Sequence, residues 1–476
     1  LKNEFSADHK LNRQQKGNKM KHYDLIVIGF GKGGKTLAAA MAAKGRNVAL
    51  IERSAMMYGG TCINVACIPS KTLEYRARLS AAARGDFEAR SGRYRMAIAR
   101  KRELTAMLRG KNYDKLVSAG VEVLTADASF IDEHRVLASF SDGSSEELYG
   151  EEICINTGAR PFIPPVEGLP ESRFAYTSET LMELDALPRR LAIVGGGYIG
   201  LEFASYYTNF GSEVTIIQDS VKFIPREDSE TAAAVLESLR SRGVRVLLGT
   251  AISKVTDTDE CAELSVHDEN GDQVIKADAV LIATGRRPEL SGLRPEAAGI
   301  QLTERGAVRT DEHLCTNVPH IHAMGDVAGG LQFTYISLDD SRIVMSHLAG
   351  DESRTTRNRG AVPYSVFLDP PLSRVGLSED EAVQKGYHVK IARLPAAAVP
   401  KAHVTDQPAG FLKAVIDGDT GMILGAHLFC AESQEMINLI KLAMDAGIPY
   451  TTLRDNIYTH PTMSEALNDL FAAVGK

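Results

Sequence analysis

Two cysteines with four residues between them stand in Gly59-Gly60-Thr61-Cys62-Ile63-Asn64-Val65-Ala66-Cys67-Ile68-Pro69-Ser70-Lys71. An Ala-, Leu- and Arg-rich helical pattern follows from Thr72 to Arg84, which predicts that both cysteines sit in that helix's first turns. The unpaired N–H groups and positive dipole end there favour a thiolate over a thiol. Residues five apart do not share a face of a regular helix, so bridging Cys62 and Cys67 requires a distorted first turn. A strained local disulfide is the redox-labile kind. The plain alternative is a pair of buried cysteines packing as small hydrophobes. A structural metal site would need further ligands, and no other Cys or His lies at ligand spacing. A proton carrier is available at the far end, in Tyr458-Thr459-His460-Pro461-Thr462-Met463-Ser464-Glu465. An imidazole held by a carboxylate titrates near neutral pH, and dithiol chemistry needs such a base. Thr462-x-x-Glu465 also fits a capping box that starts the last helix, and the two readings are compatible.

The elements around these residues form a repeated plan. Asp24 to Ile28 reads as a buried strand running into Gly29-Phe30-Gly31-Lys32-Gly33-Gly34, then a helix from Thr36 to Lys44 and a strand, Asn47 to Ile51, ending on Glu52. This order is the dinucleotide fingerprint: Gly29 makes the turn, Gly31 lets a pyrophosphate approach the backbone, Gly34 allows close helix packing, and Glu52 accepts from an adenosine ribose. Leu191 to Val194, Gly195-Gly196-Gly197-Tyr198-Ile199-Gly200, a helix to Phe210 and the strand Glu213 to Ile217 repeat it. Gln218 follows Gly195 at the spacing at which Glu52 follows Gly29, so two dinucleotide sites are expected. Each repeat carries an antiparallel insert, with turns at Asp142-Gly143 and Asn270-Gly271. Each closes on a strand ending in Thr-Gly, at Thr157-Gly158 and Thr284-Gly285. Pro161, Pro164, Pro165, Gly168 and Pro170 make a stiff linker between the repeats.

The Cys62 stretch is similar to the C-x4-C-x-P-x-K signature of the pyridine nucleotide–disulfide reductases, and the likeness extends from Tyr23 to Phe471. One departure is Ala66, where the family usually has Gly. The resemblance implies an α/β fold with two Rossmann-like, three-layer dinucleotide-binding domains and a C-terminal α+β dimerisation domain. It assigns 20–160 and 286–357 to FAD binding, 161–285 to NAD(P) binding and 358–476 to dimerisation. FAD would be held by Gly29, Gly31, Gly34, Glu52, Gly60, Thr61, Lys71, Thr157, Gly158, Gly325 and Asp326. The last two lie in the second flavin motif, His320-Ile321-His322-Ala323-Met324-Gly325-Asp326. NAD(P) would be held by Gly195, Gly197, Tyr198, Ile199, Gly200, Glu202, Gln218 and Gly285. Cys67 would face the flavin and Cys62 the substrate, and Lys71 and Glu202 would lie near the flavin ring as an ion pair. His460, oriented by Glu465, would serve Cys62 across a homodimer.

Acidic residues outnumber basic ones, 61 against 54, for a net charge of −7, which argues against a general nucleic-acid or anionic-membrane surface. The Arg- and Lys-rich run from Arg93 to Arg109 reads as the solvated face of a helix. Six cysteines in 476 residues form no disulfide framework, and Cys154, Cys261, Cys315 and Cys430 are expected to be inert in a reducing cytoplasm. No stretch approaches a transmembrane span. Residues 1–19 read as a leader or disordered extension.

Within the family, Gly329 to Asp340 and Met56-Met57-Tyr58-Gly59-Gly60 look most like the bacterial reactive-chlorine-resistance flavoproteins, associated with Cu(II) reduction and protection from hypochlorous acid. Cys62 and Cys67 would be soft ligands for the Cu(I) product. Met56 and Met57 are either assisting thioethers or packing. A mercuric reductase is expected to carry a second C-terminal Cys pair, and Phe471 to Lys476 has none. Dihydrolipoamide dehydrogenase-like, mercuric reductase-like and other disulfide-reductase activities are the alternatives, with a redox-sensing flavoprotein as the non-enzymatic one. Gln218 replaces the acid that selects NAD, Asp219 follows it, and Lys222 and Arg226 are basic residues that could meet a 2′-phosphate. The balance favours NADH over NADPH.

Overall fold

The structure, a computed structural model, describes residues 20–475. The expected leader, 1–19, lies outside the described residues. The chain divides into two compact units, the first made of residues up to Asn64 with Ala106–Arg160 and Arg287–Asn358, the second of Val65–Thr105, Pro161–Arg286 and the chain from Arg359 onward.

In the first unit the strand Lys21–Ile28 lies between Val48–Glu52 and Ser145–Ile155, parallel to both, and Glu122–Thr125 extends the parallel edge. Leu25, Ile26, Val27 and Ile28 are all buried, the continuous apolar run of a strand covered on both faces. Alternation sends Ile26 and Ile28 to one core with Phe130, Val136 and Val308, and Leu25 and Val27 to another. That second core is closed by Leu37 of the helix Lys32–Ala43 and by Ile343 and Val344 of the helix Thr334–Leu348. Each such side chain contributes about 1.5–3 kcal/mol by leaving water. Besides its pairing with Lys21–Ile28, the long strand Ser145–Ile155 serves two further ladders. Its first half pairs antiparallel with Arg135–Ser139, and its end pairs parallel with Ile321–Ala323. That second pairing delivers Met324-Gly325-Asp326 beside Asn156.

The second unit repeats the parallel plan. Its sheet runs Arg245–Leu247, Glu213–Ile217, Arg190–Val194, Ala279–Ile282 and Ala175–Thr177, all parallel. An antiparallel sheet of Ala251–Asp257, Ala262–Asp268 and Gly271–Ala277 is the insert. The register pairs Asp268 with Gly271, so the hairpin loop is Glu269-Asn270, one residue earlier than the Asn270-Gly271 turn expected. The last part is an antiparallel sheet ordered Tyr364–Val366, Leu372–Gly376, Ile423–Phe429, Phe411–Asp417 and Val389–Pro395, flanked by the helices Ser433–Asp445 and Ala466–Ala472. The chain is thus the mixed α/β architecture expected, two Rossmann-like folds followed by an α+β domain.

The run Arg93 to Arg109 lies in the helix Phe87–Ser118. It is not wholly solvated: Tyr94, Ile98, Lys101 and Thr105 form a buried stripe. The Lys101 stem is buried while its ammonium pairs with the half-exposed Glu183, a snorkelling arrangement that a charge count does not reveal. Among the described residues no helix is long and apolar enough to cross a membrane.

Candidate redox site

The cysteine stretch does not form one distorted helix. Cys62 sits in the single turn Thr61–Asn64, and Cys67 is the first residue of the helix Cys67–Ala82. Between them Ala66 has φ −138° and ψ −101°, which ends the helical path. Its φ is negative, so glycine is not demanded there. Cys67 thus lies in the first turn of the helix as expected, whereas Cys62 does not; Cys-Ile-Pro-Ser tolerates that turn, where Pro69 lacks an N–H that would be orphaned anyway. Cys67 therefore stands at the amide-rich end of a four-turn helix. Both cysteines are half-buried, whereas Cys154, Cys261, Cys315 and Cys430 are buried. Burial pushes the thiols of Cys315 and Cys430 up to about 12 and that of Cys154 higher still, which keeps them protonated and unreactive.

Gly59 and Gly60, with φ of 93° and 82°, turn the chain into the Cys62 segment in a conformation that L side chains avoid. A Cβ on Gly60 would stand 2.7 Å from the Gly31 Cα, so the cysteine loop rests directly on the first fingerprint turn. Asn64 braces this loop, donating to the carbonyls of Tyr58 and Gly60 at 3.0 and 2.9 Å and accepting from Arg109 Nε at 2.9 Å. Arg109 also reaches the Met56 sulfur at 3.4 Å. The Lys35 ammonium donates to the Gly59 carbonyl at 3.1 Å and to Asn112 Oδ1 at 2.6 Å. Lys35, Arg109 and Asn112 were not singled out from sequence, since the partners they bring to this loop come from distant segments of the chain.

The first fingerprint forms a tight cradle. A Cβ on Gly31 would lie 2.3 Å from Asn156 Oδ1, and one on Gly34 would lie 2.7 Å from the Gly29 carbonyl oxygen. Gly31 caps the helix Lys32–Ala43 without any side-chain hydrogen bond. Glu52 ends its strand buried, accepting from the amides of Phe30 at 3.0 Å and Ser54 at 3.3 Å, and burial raises its carboxyl above the ordinary range. Asn156 is the hub that sequence reasoning missed. Its Oδ1 accepts from Gly34 N at 2.8 Å, and its amide nitrogen donates to the Met324 carbonyl at 2.6 Å and to Ser337 Oγ at 3.3 Å. Gly325 N in turn donates to Asp340 Oδ2 at 2.8 Å. Gly29, Gly31, Gly34, Glu52, Gly60, Thr61, Thr157, Gly158, Gly325 and Asp326 thus lie in one unit, with a Gly158 Cβ 3.9 Å from Thr61 Oγ1. Thr157 Oγ1 is buried with no hydrogen-bond partner among the described residues. An orphaned hydroxyl beside glycines that admit no side chain fits a bound dinucleotide such as FAD.

The second fingerprint has the same build. A Cβ on Gly195 would lie 2.5 Å from the Ala283 carbonyl oxygen and one on Gly200 2.2 Å from that of Gly195. Beside Gly197 and Gly285 there is open space, and Gly197 caps the helix Tyr198–Phe210 with no side-chain bond. This open helix N-terminus, bearing Tyr198 and Ile199, fits a pyrophosphate. Gln218 turns its amide nitrogen to the carbonyls of Ser220 and Lys222 at 3.2 and 2.8 Å. On the same helix Glu202 receives the Lys71 ammonium at 2.8 and 2.6 Å, and Phe367 N donates to Glu202 Oε1 at 2.9 Å. The expected ion pair is therefore present. Phe367 also lies under the ammonium, 4.6 Å from ring centroid to Nζ, a contact the sequence did not announce. One turn on from Lys71, burial raises Glu74 to about 7 against the pull of Arg78.

At the C-terminal end His460 Nδ1 lies 2.8 Å from Glu465 Oε2, with the imidazole 70% exposed. Thr462 N donates to Glu465 Oε1 and Glu465 N to Thr462 Oγ1, both at 3.3 Å. The His460–Glu465 contact and the reciprocal Thr462–Glu465 bonds are both present, in the turn before the last helix, Ala466–Ala472, which Glu465 immediately precedes. Among the described residues no group of three or more His, Cys, Asp or Glu is arranged to hold a metal ion.

A family model described as pyridine nucleotide-disulphide oxidoreductase matches residues 23–341, and the dimerisation domain of that family matches 362–471. The chain belongs to the pyridine nucleotide-disulfide oxidoreductases, FAD- and NAD(P)H-dependent enzymes. It is 47% identical to the pyridine nucleotide-disulfide oxidoreductase RclA of Escherichia coli, over 96% of this chain and 100% of that protein. Mercuric reductase of Staphylococcus aureus is 33% identical, over 94% of this chain and 81% of the relative. Dihydrolipoyl dehydrogenase of Mycobacterium bovis is 32% identical, over 95% and 98%. Among solved structures, the Cu(II) complex of the HOCl-induced flavoprotein disulfide reductase RclA from Escherichia coli superimposes with a TM-score of 0.89 at 46% identity, covering 95% of this chain and 99% of the other.

Proposed function

We propose that this chain carries electrons from NAD(P)H through FAD and the Cys62–Cys67 pair to Cu(II), in defence against reactive chlorine and oxidative stress. The observation that carries the reading is the end-to-end likeness, at 46% identity, to a flavoprotein solved as its Cu(II) complex. FAD is held by the first fingerprint with Gly60, Thr61, Thr157, Gly158, Gly325 and Asp326, and NAD(P)H by Gly195 to Gly200 with Glu202, Gln218 and Gly285. Bound together, these cofactors supply a two-electron path from the nicotinamide to the cysteine pair. The assigned domains are 20–160 with 286–357 for FAD, 161–285 for NAD(P) and 358–476 for dimerisation.

The chain's own residues do the rest. Lys71, fixed by Glu202 and Phe367, holds a positive charge near the flavin site. Two electrons and two protons open the Cys62–Cys67 disulfide to two thiols. Cys62 meets the acceptor. Two Cu(II) ions each take one electron, the disulfide re-forms, and two protons leave. The thiolates are suitable soft ligands for the Cu(I) formed. His460, oriented by Glu465, takes and returns the proton at Cys62 of the partner subunit in a homodimer, and the protein works in the cytoplasm with NADH as the preferred donor.

The test is anaerobic NADH consumption by the FAD-loaded protein with Cu(II), for wild type and Cys62→Ser/Cys67→Ser. Rapid turnover lost in the double variant is expected. An idle wild type would sink the copper reading, and lipoamide, glutathione disulfide and Hg(II) in the same assay then identify the acceptor class.

A further inference from the structure

We propose that Cys315, His322 and His347, with His313 beside them, form a second metal site, separate from the redox pair, which takes a borderline divalent cation of the zinc type. The inference goes beyond the copper reading and does not rest on it.

Two segments bring the first pair of ligands together. Cys315 lies opposite His322 of the strand Ile321–Ala323 in an antiparallel bridge. Thr316 N, donating to the Ile321 carbonyl at 2.9 Å, and Ala323 N, donating to the Leu314 carbonyl at 3.1 Å, hold it from either side. Asp311 Oδ1 fixes the approach, accepting from the amides of His313 at 2.9 Å and Cys315 at 3.0 Å. Between those two residues Leu314 is buried at φ 67°, a setting that a bulky L side chain rarely adopts. Cys315 Sγ lies 3.5 Å from His322 Nδ1. A tetrahedral zinc bound by one Cys and one His sets those atoms about 3.6 Å apart. The other ring nitrogen, Nε2, donates to Glu152 Oε2 at 3.0 Å. That carboxylate contact orients a ligating imidazole and leaves the Nδ1 lone pair turned to the thiol.

His347, in the last turn of the helix Thr334–Leu348, brings a third donor. Its ring centroid is 5.7 Å from that of His322 and 5.6 Å from that of His313. Imidazoles on one tetrahedral cation stand about 5 Å apart between centroids. The Nδ1 atoms of His313 and His347 are buried with no hydrogen-bond partner among the described residues, a cost that a bond to a metal removes. As they stand the rings are not gathered on one point. A rotation of the His347 side chain, which is 28% exposed, closes the gap. Glu352 Oε1 adds negative charge 3.8 Å from His347 Nδ1, whereas Glu312, beside His313, is taken by Arg357 at 2.6 Å. On binding, the cation displaces the Cys315 proton to solvent and no electron moves. The site ties the segment from Asp311 to Thr316 to the helix Thr334–Leu348 and to the strand that delivers Gly325 and Asp326. Loading it therefore braces the flavin side of the first unit.

The experiment uses the FAD-loaded protein in a Cys62→Ser/Cys67→Ser background, which removes the redox pair as a competing ligand, stripped with a chelator and dialysed against buffered Zn(II) alone. The expected result is one Zn(II) per chain whose X-ray absorption shows one sulfur and at least two nitrogen ligands. Cys315→Ser and His347→Ala each weaken binding about hundredfold or more, and Glu152→Gln, which touches no cation, about tenfold. Zn(II) also raises the urea midpoint for FAD release in the parent and leaves it unmoved in His347→Ala. A parent that retains no Zn(II), a ligand shell without sulfur, or a His347→Ala variant that binds as the parent does overturns the proposal. If Cys315→Ser fails to fold, His347→Ala, altered on a half-buried helix end, carries the same test with the same outcomes. The assay needs neither NADH nor copper, so an idle copper assay and a protein that holds no zinc are separate failures.

Discussion

Asn156 is the residue on which the flavin-side cradle turns. The partner amide of Gly34 and the partner carbonyl of Met324 fix which end of its side chain is oxygen and which nitrogen. Asn156→Ala removes three hydrogen bonds and leaves the Gly34 N–H and the Met324 C=O buried without partners. At about 1 kcal/mol for each bond, and more for each orphan, the loss is about 3–4 kcal/mol. Asn156→Asp is nearly isosteric and asks a sharper question. The introduced carboxyl still accepts from Gly34, but it can donate to Met324 only when protonated. Its folded pKa must therefore lie above its unfolded value, so the native state binds the extra proton. The variant is close to wild type below the unfolded value of about 4 and loses about 1.4 kcal/mol for each pH unit up to its folded pKa. The assay is urea-induced release of FAD, followed by the rise of its fluorescence, at pH 5 and pH 8 for wild type and both variants. The expected result is a release midpoint well below wild type for Asn156→Ala at both pH values, and for Asn156→Asp a deficit that grows from pH 5 to pH 8. An Asn156→Asp midpoint equal to wild type at pH 8 would refute the reasoning, because a buried carboxylate facing a carbonyl would then cost nothing.

Two further outcomes follow from the second unit. His460→Gln, which removes the imidazole, is expected to slow turnover with a disulfide acceptor about hundredfold or more while leaving FAD content unchanged, and steady-state NADH consumption checks it. His427 is fully buried with Nδ1 unpartnered among the described residues, its other ring nitrogen lies 3.3 Å from the Leu377 carbonyl oxygen, and burial, then Arg374, lowers its pKa to about 4. A depressed folded pKa makes its contribution complete above the unfolded value of about 6.5 and lost as pH falls toward 4, a change on the order of 3 kcal/mol. His427→Gln should flatten that acid limb in urea unfolding curves taken from pH 7.5 to 4.5, and an acid limb as steep as wild type's would exclude His427 as its source.

What the sequence could and could not announce divides along a physical line. The strand–glycine–helix–strand order of each fingerprint is local: buried apolar runs, turns that admit no Cβ and an acid at a fixed distance all lie within one stretch of chain, so both Rossmann-like folds were legible. The Lys71–Glu202 pair was legible because each residue belongs to a recognisable motif. Local pattern also misled where propensity was weak. Cys62 was expected in the same helix as Cys67 and lies in a separate turn because the backbone at Ala66 breaks the path, and the second hairpin turns one residue early because register, not the Asn-Gly dipeptide, decided it. Lys101 was taken for a solvated charge because its stem's burial depends on what packs against the helix.

Asn156 and Lys35 escaped for a different reason. Asn156 is an ordinary strand-end residue until Ser337, whose Oγ also accepts from Gly33 N at 3.0 Å, and Met324 are brought against it. Lys35 is one more basic residue on a helix until Gly59 and Asn112 surround it. Neither has a signature at any spacing, because the groups that give each its role come from separate segments joined only by folding. The same contacts that hide these residues from sequence reading are the ones that fix the glycine cradle and the cysteine loop against each other. A change at Asn156 therefore loosens the cradle, and one at Lys35 the cysteine loop, without touching any motif residue, so the glycines and cysteines alone do not determine how firmly these segments are held.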